Sequence, residues 1–294
     1  MQIGLNEIHF KKKAKSKISG KIKRKINDIK HRRKKQKTER IGLKKQLFFI
    51  PSLITSGNIL CGLWSIFICI TTTNIEAAIV LIALAGILDA FDGRTARFLG
   101  VSGKFGVELD SLADFISFGI APMIIYFHSY DWNDKIFAYA ILSMFPLCMA
   151  LRLAKFNMLA LEPIKDKRIA DFRKNFFFGL AAPVGAIALL SPLILNLIDV
   201  CDFRNMTYAL IYAFVISLLL VIPVPIFSHK MLHLGFKKNI DTAITIFVFL
   251  FIVFFIYSPL YCLLTIAILY TASIPVSIVL YNKGIAELEK QYHI

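Results

Sequence analysis

Four aspartates, Asp89, Asp92, Asp110 and Asp114, fall in the stretch DAFDGRTARFLGVSGKFGVELDSLAD. Asp89 and Asp92 are three apart and share a face if their segment is helical. Asp110 and Asp114 are four apart and share a face of the next one. The linker RTARFLGVSGKF is short and carries glycine. The two segments therefore form an antiparallel hairpin, with both carboxylate pairs facing each other at one level. Four carboxylates so placed repel one another and cannot all be ionised without a compensating charge. Carboxylate oxygen is the ligand type of Mg2+ or Mn2+ rather than of zinc. Two such ions close together suit phosphoryl chemistry, because they hold the attacking and leaving oxygens at once.

The residues between the aspartates fit that chemistry. Gly93 and Ala96 are small, so a flat base or a phosphate can approach the backbone. Arg97 offers a bidentate phosphate contact. Gly106 stands one turn before Asp110 and leaves space beside the ions. Glu108 faces elsewhere and is set aside.

The elements that carry these residues are membrane helices. The chain has 294 residues, of which 57% are hydrophobic and 18% charged, and a mean hydropathy of +0.65. This composition excludes a soluble globular domain and indicates an all-α, polytopic helical bundle. Apolar runs long enough to cross about 30 Å of hydrocarbon occur at 47–71, 75–96, 106–127, 136–156, 176–198, 206–228, 240–257 and 259–281. The last two are separated only by Tyr257-Ser258-Pro259, so seven spans is the alternative count.

Charge orients the bundle. One set of loops carries Arg94, Arg97 and Lys104, then Lys155, Lys165, Lys167, Arg168, Arg173 and Lys174, then Lys230, Lys237 and Lys238, then the tail with Lys283 and Lys290. The opposite loops carry only Lys135 and Arg204. The positive-inside rule then places both termini and the aspartates on the cytoplasmic side. Cys61, Cys69, Cys148, Cys201 and Cys262 show no metal-ligand spacing and read as small buried hydrophobes. No secretory signal peptide is recognised, since the first apolar run begins near Leu47 and is too long for one.

The chain divides into three parts. Residues 1–46 are a basic arm with 18 Lys and Arg against Glu7, Asp28 and Glu39. This arm is expected to be disordered or to lie on the membrane surface, resting on anionic lipid. Contact with nucleic acid is the less favoured reading of the same charge. Residues 47–230 form a catalytic core of six spans, and 231–294 add two spans and a short tail.

The pattern Asp89-x-x-Asp92-Gly93-x-x-Ala96-Arg97, eight residues, then Gly106-x-x-x-Asp110-x-x-x-Asp114 resembles the full signature of the CDP-alcohol phosphotransferase family. The resemblance implies an integral membrane transferase, usually a homodimer. Such enzymes pass a substituted phosphate from a CDP-linked donor to an alcohol and release CMP. It further implies that Asp89, Asp92, Asp110 and Asp114 hold two divalent cations and that Asp114 is also the general base. Gly93, Ala96 and Arg97 would then face the CDP moiety.

Segments outside the signature bear on the acceptor. IPSLITSGN in the first span, SFGIAP after Asp114, RLAKFN closing the fourth span and FFFGLAAP opening the fifth resemble the series of the type II phosphatidylserine synthases. Ser52, Lys155 and GLAAP stand where that series has Asn, Arg and GLPxP. The resemblance implies transfer of the phosphatidyl group from CDP-diacylglycerol to L-serine in a prokaryotic cytoplasmic membrane. Glycerol 3-phosphate, inositol phosphate and choline remain alternative acceptors within the family. An ion-coupled transporter is the alternative from another class, but its acids would sit at mid-membrane rather than at a rim beside Gly and Arg.

A zwitterionic acceptor needs a cation for its carboxylate. Arg152, in the cytoplasmic half of its span, is the candidate, with Lys155 and Asn157 nearby. The competing reading for Arg152 is a side chain reaching out to lipid headgroups. Thr55 and Asn58, three apart on the first span, would contact the nucleotide or serve helix packing.

Because none of the site residues lies in the arm, removing residues 1–40 is expected to leave turnover largely intact. A folded but inactive truncation would contradict the division at residue 46.

Overall fold

A computed structural model describes residues 49–101, 103–161, 176–200, 205–222, 225–227 and 253–292. The basic arm, most of the expected span 240–257 and Cys201 lie outside the described residues.

Helix α1 (Phe49–Thr72) and α2 (Ile75–Leu99) form the first hairpin. Asn74 starts α2 by accepting the Ala77 N–H with its side chain at 3.0 Å, which satisfies one of the amides that a helix start leaves unpaired. Ser65 of α1 donates to the Ala78 carbonyl at 2.7 Å and ties the two helices together. Gly100, in the left-handed conformation at φ 62°, ends α2. Its N–H goes to the Arg97 carbonyl at 3.2 Å, and that of Val101 goes to Ala96 at 3.1 Å. This pair of bonds closes the helix and turns the chain sharply, so the next helix returns alongside.

That return is one continuous rod, Lys104–His128. It consists of α3 (Lys104–Asp114), a π-helical turn (Phe115–Ile120) and α4 (Ala121–His128). Within it the Ala121 N–H reaches back five residues to Ile116. Pro122 has no N–H to offer the preceding turn, which favours a local change of winding. Ser117, Phe118 and Gly119 on this turn are buried. Ser117 Oγ donates to the Asn58 carbonyl of α1 at 3.0 Å. A Cβ on Gly62 would come within 2.9 Å of Ser117 Cα, so a glycine is needed for α1 to lie this close.

Helices α5 (Lys135–Leu142) and α6 (Met144–Leu161) run back past this rod. Helix α7 (Ala182–Leu197) is buried along nearly its whole length and occupies the middle of the bundle, packed by α8 (Met206–Val221) and α9 (Pro259–Tyr292). The core is built from Phe118, Tyr126, Phe145, Met149, Leu189 and Ile194, all essentially inaccessible. Outward faces remain apolar, with Phe49, Leu53, Leu63, Trp64 and Phe67 exposed along α1. An apolar exterior over an apolar core is what lipid, not water, allows.

The structure is the helical membrane bundle expected from the sequence, and two local features refine it. The bundle is not purely helical: β1 (Phe176–Phe178) pairs antiparallel with β2 (Pro225–Phe227), Phe177 opposite Ile226. Gly179, at φ 90°, separates β1 from α7. The extended chain entering α7 and that leaving α8 thus satisfy each other's backbone groups, as a low-dielectric setting demands. Accordingly, the expected spans 176–198 and 206–228 contain shorter helices of 16 residues each. Such a helix is about 24 Å long, less than the hydrocarbon thickness. Among the described residues four helical segments are long and apolar enough to cross: Phe49–Thr72, Lys104–His128, Lys135–Met158 and Pro259–Tyr281. Helix α2 is as long but bears the charges of the site, Asp89, Asp92, Arg94 and Arg97. Cys61, Cys69, Cys148 and Cys262 carry free thiols.

Replacing Gly62 by Leu is expected to separate α1 from the π turn and lower the melting temperature in detergent by several degrees. The shift should exceed that of Gly57→Leu, where the nearest atom to an added Cβ is the Leu88 side chain at 3.5 Å.

Candidate functional site

The hairpin of α2 and α3 brings Asp89, Asp92 and Asp110 together. Each offers one carboxylate oxygen, and the three oxygens lie within 4.8 Å of one another. Asp89 and Asp110 lie close enough to interact electrostatically. Asp92 is buried, accepts from the backbone of Gly93, and receives the Thr55 hydroxyl on Oδ2 at 2.6 Å. Thr55 also faces the Pro51 carbonyl at 3.0 Å. With one proton to give, the hydroxyl favours the shorter, charge-assisted contact.

Asp114 stands one turn further into the bundle and is not a member of that three-oxygen group. Its carboxylate interacts electrostatically with Asp89, Asp110 and Arg152. Among the described residues, Asp110 Oδ1 and Asp114 Oδ1 are buried without a hydrogen-bond partner. Buried anionic oxygens lacking donors call for a positive partner. A cluster of three carboxylates plus an orphaned fourth suits hard divalent cations.

A cavity of about 200 Å³ opens beside the cluster. Thr55, Asp92, Gly93, Ala96, Arg97, Gly106 and Asp110 all line it, which unites most of the residues expected from the sequence to meet the nucleotide. An added Cβ on Gly93 or Gly106 would meet nothing within 4 Å. These glycines are not required by packing within the protein, and they leave room for something else. Asn58 does not line this cavity. It is fully buried, and neither its amide nitrogen nor its amide oxygen has a partner among the described residues. A larger cavity of about 510 Å³ lies at the other end of the bundle, walled by Phe137, Leu210 and Phe214. Its one acid, Asp134, caps α5 through the amides of Ile136 and Phe137 at 3.0 Å each. The smaller cavity is the one beside groups that can do chemistry.

On the inner side of the cluster, α6 presents Arg152. Its guanidinium interacts with Asp114, Asp89 and the Tyr270 hydroxyl and touches Met149 Sδ at 3.9 Å. Nε is buried and unpartnered. The side chain points among the aspartates and not out to headgroups. Lys155 is exposed. Asn157 donates from Nδ2 to Ser111 Oγ at 3.0 Å, tying α6 to the helix that carries Asp110 and Asp114. Two residues that sequence reasoning did not single out are therefore in place, Ser111 and Tyr270. Ser111 is indistinguishable by type from any exposed helix serine. Tyr270 lies in an apolar run well past the signature, and its one signal is a hydroxyl where hydrocarbon would suffice.

The sequence profile of the CDP-alcohol phosphatidyltransferase family matches residues 48–277. Among curated proteins, the CDP-diacylglycerol–serine O-phosphatidyltransferase of Mycobacterium leprae (strain TN) is 39% identical over 151 residues, 51% of this chain and 48% of that protein. The protein of the same name from Helicobacter pylori (strain ATCC 700392 / 26695) is 33% identical over 150 residues, covering 51% and 59%. That from Methanocaldococcus jannaschii is 30% identical over 195 residues, covering 60% and 85%. The chain spans about half the length of the mycobacterial relative.

If the cluster holds cations, Mn2+ should raise the melting temperature of the purified chain, and Asp110→Asn should abolish the rise. Thr55→Val should weaken Mn2+ affinity roughly tenfold, the lower worth of a hydrogen bond to a charged group. A melting temperature indifferent to Mn2+ in the unsubstituted chain would contradict the site.

Proposed function

The chain belongs to the CDP-alcohol phosphatidyltransferase family, and on that premise we propose that it transfers the phosphatidyl group of CDP-diacylglycerol to the hydroxyl of L-serine, yielding phosphatidylserine and CMP. The observation that carries this reading is the close grouping of Asp89, Asp92 and Asp110 at the edge of a cavity lined by Gly93, Ala96 and Arg97, with Asp114 and Arg152 adjacent.

The cavity receives the nucleotide. Small residues allow the base and pyrophosphate to lie against the backbone, and Arg97 contacts a phosphate through its paired N–H groups. Two divalent cations, Mg2+ or Mn2+, bound by Asp89, Asp92, Asp110 and Asp114, would neutralise the pyrophosphate and the charge that develops on CMP. Arg152 holds the serine carboxylate, which brings the serine hydroxyl to Asp114. The Asp114 carboxylate takes the hydroxyl proton. The serine oxygen forms a bond to the phosphorus that bears diacylglycerol, and the bond from that phosphorus to the oxygen bridging it to CMP breaks. Holding both reactants in one orientation supplies much of the acceleration. Asn157, through Ser111, positions the helix of Asp110 and Asp114, and Lys155 attracts anions at the entrance. An acceptor that itself carries a phosphate would call for more cations around Asp114 than Arg152 provides.

The setting follows from the same reading. The enzyme is a multi-pass protein of a prokaryotic cytoplasmic membrane, with both termini and the site facing the cytoplasm. It acts as a homodimer. The 47–230 core performs the chemistry, the 1–46 arm rests on anionic lipid, and 231–294 adds two spans.

The test is CMP release from CDP-diacylglycerol by the purified full chain, with a panel of alcohols, with and without chelator. Release should depend on serine and vanish with chelator. Asp114→Asn should lower turnover by roughly 10² to 10⁴, the usual contribution of a general base, while the Mn2+-dependent rise in melting temperature shrinks but is not abolished, because Asp89, Asp92 and Asp110 remain. Release that ignores both serine and chelator would refute the proposal.

A further inference from the structure

Helix α9 lies beyond the segments that carry the chemistry, yet it places Tyr270 beside them. The Tyr270 hydroxyl oxygen accepts the backbone N–H of Ala181 at 3.2 Å. Ala181 caps α7 and belongs to the GLAAP segment. The same hydroxyl interacts with the Arg152 guanidinium, in the RLAKFN segment. One side chain of α9 thus joins two segments that come from different helices.

The hydrogen-bond inventory of this corner is one-sided. Arginine has five donors and no acceptor, and Arg152 Nε is buried without a partner. The Tyr270 oxygen is already occupied by Ala181, and among the described residues its proton has no acceptor. Two unmet donors therefore lie within electrostatic range of each other and of Asp114. Donors in a low-dielectric pocket favour an anion with two oxygens. The seat proposed above for the pyrophosphate of the donor is the cavity across the aspartate cluster, lined by Arg97 and the glycines. What remains for this corner is the carboxylate of an amino-acid acceptor.

We propose that Tyr270 is a specificity-determining residue, held by Ala181 against Arg152 so that the tyrosine O–H and the Arg152 Nε–H together bind the carboxylate of the acceptor. The proposal rests on the amino-acid acceptor reading given above. It assigns to α9 a direct part in acceptor choice.

Tyr270→Phe removes the hydroxyl and keeps the ring. The readout is the ratio of kcat/KM for serine to that for serinol, which has the amine and hydroxymethyl group of serine but no carboxylate. The unsubstituted chain should prefer serine. In Tyr270→Phe that preference should fall about ten- to hundredfold, as for loss of one hydrogen bond to a charged group, mainly through a higher KM for serine. The Mn2+-dependent rise in melting temperature should persist and shows the fold intact. A preference within twofold of the original overturns the proposal. So does a parallel loss with serine and serinol together with a raised KM for CDP-diacylglycerol, which marks a structural or donor-phosphate role. If the unsubstituted chain releases no CMP with serine, the functional reading itself fails, and the two failures are distinct.

Discussion

Negative charge in a poor dielectric is the constraint on which the rest of the structure depends. Carboxylate oxygens from three side chains lie within 4.8 Å, at the ends of helices whose other faces are hydrocarbon. Water cannot screen them as it would on a soluble surface. Among the described residues the protein's own compensation is small: one hydroxyl from Thr55, one backbone amide at Gly93 and one guanidinium at Arg152. Arg152 offsets a single charge of four. Under the proposed chemistry, two divalent cations more than offset the remainder, and the surplus favours a pyrophosphate. Cation binding and donor binding then support each other, because each removes the repulsion that the other would meet alone.

The hairpin was legible in the sequence because its determinants are local. The three- and four-residue spacings of the aspartates, the small residues between them and the short glycine-bearing linker are all matters of helix geometry. The Gly100 terminus supplies the turn that they imply. Less legible was the division of labour among the four acids. A carboxylate pair on one face of each helix suggests one square of carboxylates, but the return helix tilts Asp114 out of the three-oxygen group and toward Arg152. Such tilt depends on packing across helices, here on Gly62 against Ser117 and Gly119 against Phe115 and Met149, and no periodicity records it. The strand pair β1–β2 escaped for the same reason. A continuous apolar run looks alike whether it is wound or extended, and what decides is a partner some fifty residues away.

The acceptor side was legible only in fragments. Arg152 stood out because a lone arginine in an apolar span needs an anion. Asn157 stood out by position, yet its amide is engaged with Ser111 and supports the aspartate helix. Tyr270 gave no pattern at all. It matters because α9 folds back against α7 and sets one hydroxyl between Ala181 and Arg152. Distant parts of a membrane chain converge on a site through single polar atoms, and the apolar background makes each such atom consequential.

The π turn at Phe115–Ile120 sets the phase of the whole return helix. It accommodates one more residue than an α-helical turn would, so the part bearing Asp110 and Asp114 is rotated by about 100° relative to a uniform α-helix continued from α4. Excising one residue there would restore uniform winding, leave hydropathy almost untouched, and keep both acids near their present azimuth, whereas forcing the same sequence into α turns throughout would swing them away from Asp89 and Asp92. The azimuth of the site is thus set by residue count and winding together, and a chain one residue shorter between Asp114 and Pro122 would reach it with α turns alone.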